Sequence, residues 1–426
     1  MSKLSSPALH SLSVSAKEAR DAAFAMPLEE INPAYPPFFT NDTIGYYFER
    51  LRRDDPVHWS RSPVFGDYWS VTRYQDIMHV DTNHKIYSSD FALGGITVGD
   101  APPEERLPMF IAMDQPKHDE QRKAVSPIVA PVNLNSMEVL IRERTRKVLD
   151  SLPRNETFNF VDLVSIELTT LMLATLFDFP LEDRKLLTYW SDITTANPKF
   201  NPAAPSPEER WAELLRMLEY FTRLWNERVN APPANDLVSM LAHGPATRNM
   251  TPQEYMGNLL LLIVGGNDTT RSSMTGGLLA LSQNPDQFAK LRANPALIES
   301  MVPEIIRWQT PLAHMRRTAL CDTELGGKQI KKGEKVVMWY LSGNRDEQAI
   351  DRPNDFIIDR ARPRQHLAFG FGIHRCVGNR LAEMQLRILW EELLPRFPSI
   401  EVVGEPVRVP SSFVRGYTSL QVRIPG

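Results

Sequence analysis

The residue best placed to do chemistry is Cys376, because of what surrounds it. It lies in Phe369-Gly370-Phe371-Gly372-Ile373-His374-Arg375-Cys376-Val377-Gly378. Glycine at this density marks a tight loop where the backbone comes close to something. The cysteine stands just before a stretch with a helical pattern, so backbone N–H groups and the helix dipole favour its thiolate. A thiolate beside a glycine loop can bond axially to iron in a flat macrocycle. There a cysteinate donor pushes electron density onto the metal and favours O–O cleavage. A lone cysteine is ordinarily an inert buried thiol, and Cys321, which has no such neighbours, is read that way.

Three other groups of residues carry possible chemistry. Glu304-Ile305-Ile306-Arg307 puts a carboxylate and a guanidinium at i and i+3 on one helix face. Gly265-Gly266-Asn267-Asp268-Thr269-Thr270 interrupts an otherwise strong helix with two glycines, which cost about 1 kcal/mol each relative to alanine. The hydroxyl of a threonine there can take over a carbonyl bond and open the helix locally. Pro116 starts a third helix, on which His118 and Arg122 share a face at i and i+4.

Taken in order and at these spacings, the four segments resemble the cytochrome P-450 superfamily of haem-thiolate monooxygenases, over nearly the whole chain from about Asn41. The stretch around Cys376 matches the superfamily's haem-binding signature, with Phe369, Gly370, His374, Arg375, Cys376 and Gly378 in its places. The resemblance implies that Cys376 ligates the iron of haem b (iron protoporphyrin IX). It implies that Glu304 and Arg307 form a buried lock with Arg360, from Phe356-Ile357-Ile358-Asp359-Arg360. Pro303, directly before Glu304, departs from that pattern; a proline inside a helix costs about 3 kcal/mol unless it begins a turn, which bears on where this helix starts. By the same resemblance Gly265 or Gly266 leaves room for dioxygen, Thr269 donates a hydrogen bond to the distal oxygen, and Asp268 relays protons. His118, Arg122 and His374 grip the haem propionates. Arg316 and Arg317 compete for one further propionate contact, and the count back from Asp322-Thr323-Glu324-Leu325-Gly326 favours Arg317.

These residues need elements to position them. Thr251-Pro252-Gln253-Glu254 reads as N-cap, proline at the first helical position and capping-box glutamate. The helix it opens runs to Asn284-Pro285, and a 1.5 Å rise per residue makes it roughly 50 Å long. Asn41 and Asp42 cap a helix to about Asp54 with Ile44, Tyr47, Phe48 and Leu51 on one face; strands follow around Val57–Ser60 and Tyr68–Thr72 as a hairpin. A long loop with Gly94, Gly95 and Gly99 covers 88–108. Helices broken by prolines fill 116–229, another helix starts at Asn294-Pro295, and Lys335–Leu341 is the best later strand. An irregular stretch over 344–366 leads to a last long helix, Gly378 to Leu394, and a β-rich tail. The class is mainly α with a minor β region, and no α/β alternation appears. By resemblance this is a triangular helical domain with haem between the long central helix and the Cys-loop helix. Residues 1–40 read as an N-terminal extension and 41–426 as a single domain.

The 426 residues carry a formal net charge of -4, which gives no electrostatic reason for nucleic acid or an anionic membrane as partner. The longest apolar run, Leu259 to Val264, is far short of the roughly 20 residues that span a bilayer. Two cysteines make neither a disulfide framework nor an iron–sulfur centre, and they fit a reducing cytoplasm. Electrons must therefore arrive from outside, by resemblance from a ferredoxin and its reductase, with O2 as co-substrate. Lys117, Arg122, Lys123, Arg375 and Arg380 could meet such an acidic partner. By position, Leu93, Ile96, Leu261, Leu262, Val264, Leu312, Met315, Phe413 and Val414 line the substrate site, and their apolar character fits an apolar substrate. The wording of the Gly265 and Glu304 segments resembles a bacterial branch that hydroxylates the terminal carbon of medium-chain alkanes and fatty acids. Alternatives are a terpenoid or steroid hydroxylase of the same superfamily, a peroxygenase, and a haem sensor or carrier without turnover.

Overall fold

A computed structural model describes residues 15–426. Its central element is the helix Pro252–Gln283. The Thr251 hydroxyl accepts from the Glu254 N–H at 3.2 Å, and the Glu254 carboxylate accepts from the Thr251 N–H at 3.1 Å. The helix passes through Gly265-Gly266 without a break. Its first half packs Leu259, Leu260 and Ile263 into one apolar cluster, and its second half packs Met274, Leu278 and Leu281 into another. Apolar residues at those spacings are buried against Glu167–Phe177, Lys185–Thr195, Pro207–Val229, Ile298–Gln309 and Asn379–Arg396. Contact with Ile298–Gln309 is close because of two glycines: a Cβ on Gly277 would lie 2.8 Å from Ile305 Cδ1, and one on Gly276 would lie 2.1 Å from Gln309 Oε1. No single helix among the described residues is long and apolar enough to cross a membrane.

Beside the helices lies a five-stranded sheet in the order Val57–Ser60, Tyr68–Val71, Lys335–Met338, Met315–Ala319, Tyr87–Ser88. Tyr68–Val71 and Lys335–Met338 run parallel, and the other pairs are antiparallel. Alternation along Met315–Ala319 sends Arg316 and Arg317 to opposite faces. The 88–108 loop holds short 3-10 turns and is pinned to this strand: Arg316 N–H donates to Ile96 O at 2.8 Å and Arg316 Nη2 donates to Leu93 O at 2.9 Å.

Several elements differ from the sequence expectation. The cap at Asn41-Asp42 is displaced: the helix is Ile44–Asp54 with Thr43 at the N-cap. Asp42 takes a left-handed backbone and gives its carboxylate to Arg408 and Arg415 instead. Asn284-Pro285 ends one helix but begins another, Pro285–Ala293, since proline suits a first helical position. The Glu304 helix is Ile298–Gln309 with Pro303 inside it. Pro303 has no N–H to give the Glu299 carbonyl, and both residues line a surface groove. The strand from Lys335 stops at Met338 and turns into the short helix Tyr340–Gly343. In the described part of residues 1–40, Ala23, Ile31, Ala34 and Phe39 are buried in one cluster with Tyr68 and Trp339.

Thr251→Ala removes the hydroxyl half of the capping box and should cost about 1 kcal/mol in chemical denaturation; an unchanged midpoint would show that tertiary packing alone fixes this end.

Candidate active site

Cys376 closes its own loop. Its N–H donates to Phe369 O at 2.8 Å, and Gly370 N–H donates to Leu367 O at 2.8 Å. Gly370 and Gly372 both have φ +64, which side chains rarely adopt. A Cβ on Gly372 would also meet the Asp81 carbonyl at 2.4 Å. Backbone shape and the approach of Asp81 thus both favour glycine in this turn. Gly378, at the N-cap of Asn379–Arg396, has open space at its Cβ position. The Cys376 side chain is accessible, yet protein lies close around it. Burial pushes its thiol up, while the Gly378 N–H and the Arg122 and Arg375 charges pull the other way. Cys321 is exposed, which corrects its reading as a buried thiol.

The loop is held from behind by Glu304. This carboxylate and Arg307 have no exposed surface. Arg307 Nε and Nη2 donate to the two Glu304 oxygens at 2.7 Å each, and Arg360 Nε and Nη2 donate to the same pair at 3.0 and 3.2 Å. The Ile357 N–H adds a bond at 2.9 Å. Arg307 then spends its remaining donors on the carbonyls of Asn344, Pro353 and Asp355. Glu304, Arg307 and Arg360 therefore meet, and they fasten the irregular stretch before the Cys376 loop to Ile298–Gln309.

A group of imidazoles and guanidiniums gathers near the loop. The rings of His118 and His374 lie 4.3 Å apart. His118 Nδ1 bonds Asp119 at 2.6 Å, His374 Nε2 bonds Ser89 at 2.8 Å, and Arg122 Nη2 donates to Arg375 O at 2.5 Å. Burial, followed by the charges of Arg317, His118 and Arg122, drives His374 strongly toward its neutral form. Arg317 Nη2 donates to Asp81 at 2.8 Å, whereas Arg316 turns to Asp100 and the 88–108 loop. Of the two competing arginines, Arg317 is the one near the imidazoles. His118 Nε2, His374 Nδ1 and both ring nitrogens of His84 are buried without a hydrogen-bond partner. A buried donor without an acceptor costs about 1–3 kcal/mol, so these nitrogens fit a bound anionic group such as a carboxylate. His84 carried no sequence signal; it follows the end of the helix Tyr74–Thr82 and belongs to no spaced motif.

Gly265 and Gly266 separate in role. Nothing lies within 4 Å of a Cβ built on Gly265, but one on Gly266 would sit 2.7 Å from Leu173 Cδ2. Of the two alternatives, Gly265 is the open position and Gly266 is a notch for Glu167–Phe177. The Thr269 hydroxyl donates to Gly265 O at 2.9 Å. Asp268 is fully buried: it accepts from Arg271 Nη2 at 2.6 Å, from Asn267 Nδ2 at 3.2 Å and from the Thr195 hydroxyl at 3.4 Å. Arg271 also donates to the half-exposed Asp192 at 2.9 Å. Burial raises Asp268 to about 6 despite Arg271, and the Asp192 charge adds to the rise. The result is a buried acid able to exchange a proton near neutrality, bridged by Arg271 to an acid at the surface. Arg271 and Asp192 have no separate motif, and only folding brings them together.

The family model Cytochrome P450 matches residues 63–415. The chain belongs to the cytochrome P450 family. Across 91% of this chain and 97% of the relative it is 35% identical to linalool 8-monooxygenase of Pseudomonas putida. It is 33% identical to steroid C26-monooxygenase of Mycolicibacterium smegmatis over 88% of this chain and 89% of that one. The structure of cytochrome P450-153 from Novosphingobium aromaticivorans superposes with a TM-score of 0.87 at 46% identity, covering 92% of this chain and 98% of that one. This P450 is a monooxygenase with haem b as its cofactor.

The nine apolar residues expected at the P450 substrate site divide between clusters. Ile96, Leu312 and Phe413 pack with Met315 against the sheet, and Leu261 and Leu262 pack on the helical side. Leu312 and Val414 form a β-bridge, Val264 is half-buried and Leu93 is exposed. Of the basic residues, Lys117, Lys123, Arg375 and Arg380 are exposed, and Lys117 also pairs with Glu254.

Asp268 makes stability depend on pH. Its carboxyl rises from 3.8 to about 6 on folding, so the folded protein holds a proton that the unfolded chain has already lost. Its contribution to stability is then full below about 4 and is lost as pH rises through about 6. Relative to Asp268→Asn, the wild type should lose about 3 kcal/mol over that range; parallel pH profiles from urea denaturation would contradict the raised acid.

Proposed function

We propose that this P450 hydroxylates the terminal carbon of an extended apolar chain, a medium-chain alkane or fatty acid, with electrons from a ferredoxin and its reductase. The observation that carries this reading is the 46% identity to cytochrome P450-153 across nearly the full length, together with the wording of the Gly265 and Glu304 segments. The relatives' printed names support attack at a chain end: C8 of linalool and C26 of a steroid are both terminal carbons. A terpenoid or steroid hydroxylase is the second reading, favoured by those same names. Free cysteines fit a reducing cytoplasm.

Within this reading Cys376 is the thiolate ligand to iron, and His118, Arg122, His374 and Arg317, joined by His84, hold the cofactor's carboxylates. Haem, when bound, supplies the iron at which O2 is activated. The rest is done by side chains. Glu304, Arg307 and Arg360 keep the thiolate loop in place. Gly265 leaves room beside the central helix. Thr269 presents a hydroxyl there, and Asp268 supplies protons, because an acid near 6 both releases and regains them at neutral pH. Ile96, Leu312, Met315 and Phe413 form the apolar wall nearest the 88–108 loop. A terminal C–H bond is stronger than its neighbours, so this wall must select position by shape. An acidic redox protein would meet Lys123, Arg375 and Arg380 on the Cys376 side.

Spectral titration with dodecane, lauric acid, linalool and a C27 steroid ketone separates the two readings. Dodecane or lauric acid should give the largest low-to-high-spin conversion and a terminal alcohol in turnover with a surrogate ferredoxin; tighter binding and turnover of the terpene or the steroid would replace the first reading with the second. Thr269→Ala should bind the same substrate equally well yet divert reducing equivalents to hydrogen peroxide. Full coupling of electron use to product in that variant would remove Thr269 from the proton path.

A further inference from the structure

Asp81 lies in the last turn of Tyr74–Thr82 with 2% of its surface exposed. Its two oxygens serve two different structures. Oδ1 accepts from Arg317 Nη2 at 2.8 Å. Oδ2 accepts from the Tyr340 hydroxyl at 2.9 Å and from the Phe371 N–H, in the Cys376 loop, at 2.8 Å. The loop is shaped to admit it: a Cβ on Gly370 would come within 3.3 Å of Oδ2 and of the Tyr340 oxygen, and Gly372 sits against the Asp81 carbonyl. Burial and then the Asp81 charge push the Tyr340 phenol far up, so it stays a neutral donor. One buried carboxylate therefore ties the arginine beside the imidazoles to the turn that carries the thiol.

We propose that Asp81 is a positioning residue that sets both how tightly the haem is retained and the potential at which it is reduced. It does so by fixing Arg317 and the Cys376 loop relative to each other; this rests on the assignment of Arg317 to a haem carboxylate. An asparagine cannot replace it. The amide has one acceptor oxygen, and its N–H groups would face a donor whichever way it turned, either Arg317 or the Phe371 N–H. Asparagine also removes a negative charge beside Arg317. The uncompensated positive charge then favours the reduced cofactor.

The test uses holoprotein and reads haem transfer to excess apomyoglobin together with the reduction potential. Asp81→Asn should lose haem roughly tenfold faster or more, the scale of one lost charge-assisted hydrogen bond, and its potential should move positive. Tyr340→Phe keeps the charge but takes a donor from Oδ2, so its potential should move less and in the opposite direction. General loosening of the loop would shift both variants the same way and would overturn the proposal. Wild-type transfer and potential in Asp81→Asn would overturn it as well. Arg317→Ala separates the two levels: unchanged haem transfer in that variant defeats the carboxylate assignment, whereas faster transfer there beside a silent Asp81→Asn defeats the role of Asp81 alone. Should Asp81→Asn not fold, the sign of the Tyr340→Phe shift decides.

Discussion

Glu304 is a carboxylate without exposed surface, and the groups that meet it determine where the Cys376 loop can lie. Taking such a charge out of water costs several kcal/mol, which only good geometry and a full set of hydrogen bonds offset. Burial alone would raise the acid, yet Arg307 and Arg360 hold it below the usual carboxylate range. Arg307 meets it from the same helix, Arg360 and the Ile357 N–H meet it from one later stretch, and Arg307 reaches on to three carbonyls of the irregular segment over 344–355. That segment has almost no regular structure of its own. Its shape is imposed from the Ile298–Gln309 helix, which in turn is seated by Gly276 and Gly277 against the central helix.

Two buried acids show how the number of cationic partners separates holding from reacting. Glu304 has two arginines largely to itself and remains ionised. Asp268 has one, and shares it with Asp192. The shared partner does not outweigh burial, and the carboxyl moves into the range where protons exchange at neutral pH. The same ingredients, carboxylate and guanidinium in a dry interior, give a clamp in one place and a proton-carrying group in the other.

What could be read from the sequence followed from locality. The Thr251 capping box, the Val57–Val71 hairpin and the Cys376 loop each have their deciding residues within a few positions, so spacing alone was informative. Asp81 and His84 were not legible, because the groups Asp81 bonds, Arg317 and Phe371, and the His374 near His84 lie far along the chain and no local pattern marks them. The Thr157–Asn159 strand escaped for the same reason: it pairs with Gln421–Arg423, and its three residues are too few to show alternation. Gly266 resembled Gly265 in sequence and differs from it only because Leu173 fills the space beside it. Which of Arg316 and Arg317 stands beside the imidazoles depends on strand alternation, which a count back from Asp322 only approached.

That alternation has an evolutionary consequence. Within Met315–Ala319 one side chain governs the loop over the apolar wall and its immediate neighbour stands beside the imidazoles. The 88–108 segment meets the strand at the Leu93 and Ile96 carbonyls, at the Asp100 carboxylate and at Gly94, so it can be rewritten to suit a new compound between those points. An insertion or deletion of a single residue inside the strand would exchange the two arginines between faces. Diversification of substrate range in such a chain should therefore accumulate in the loop, while the length of this short ribbon stays frozen.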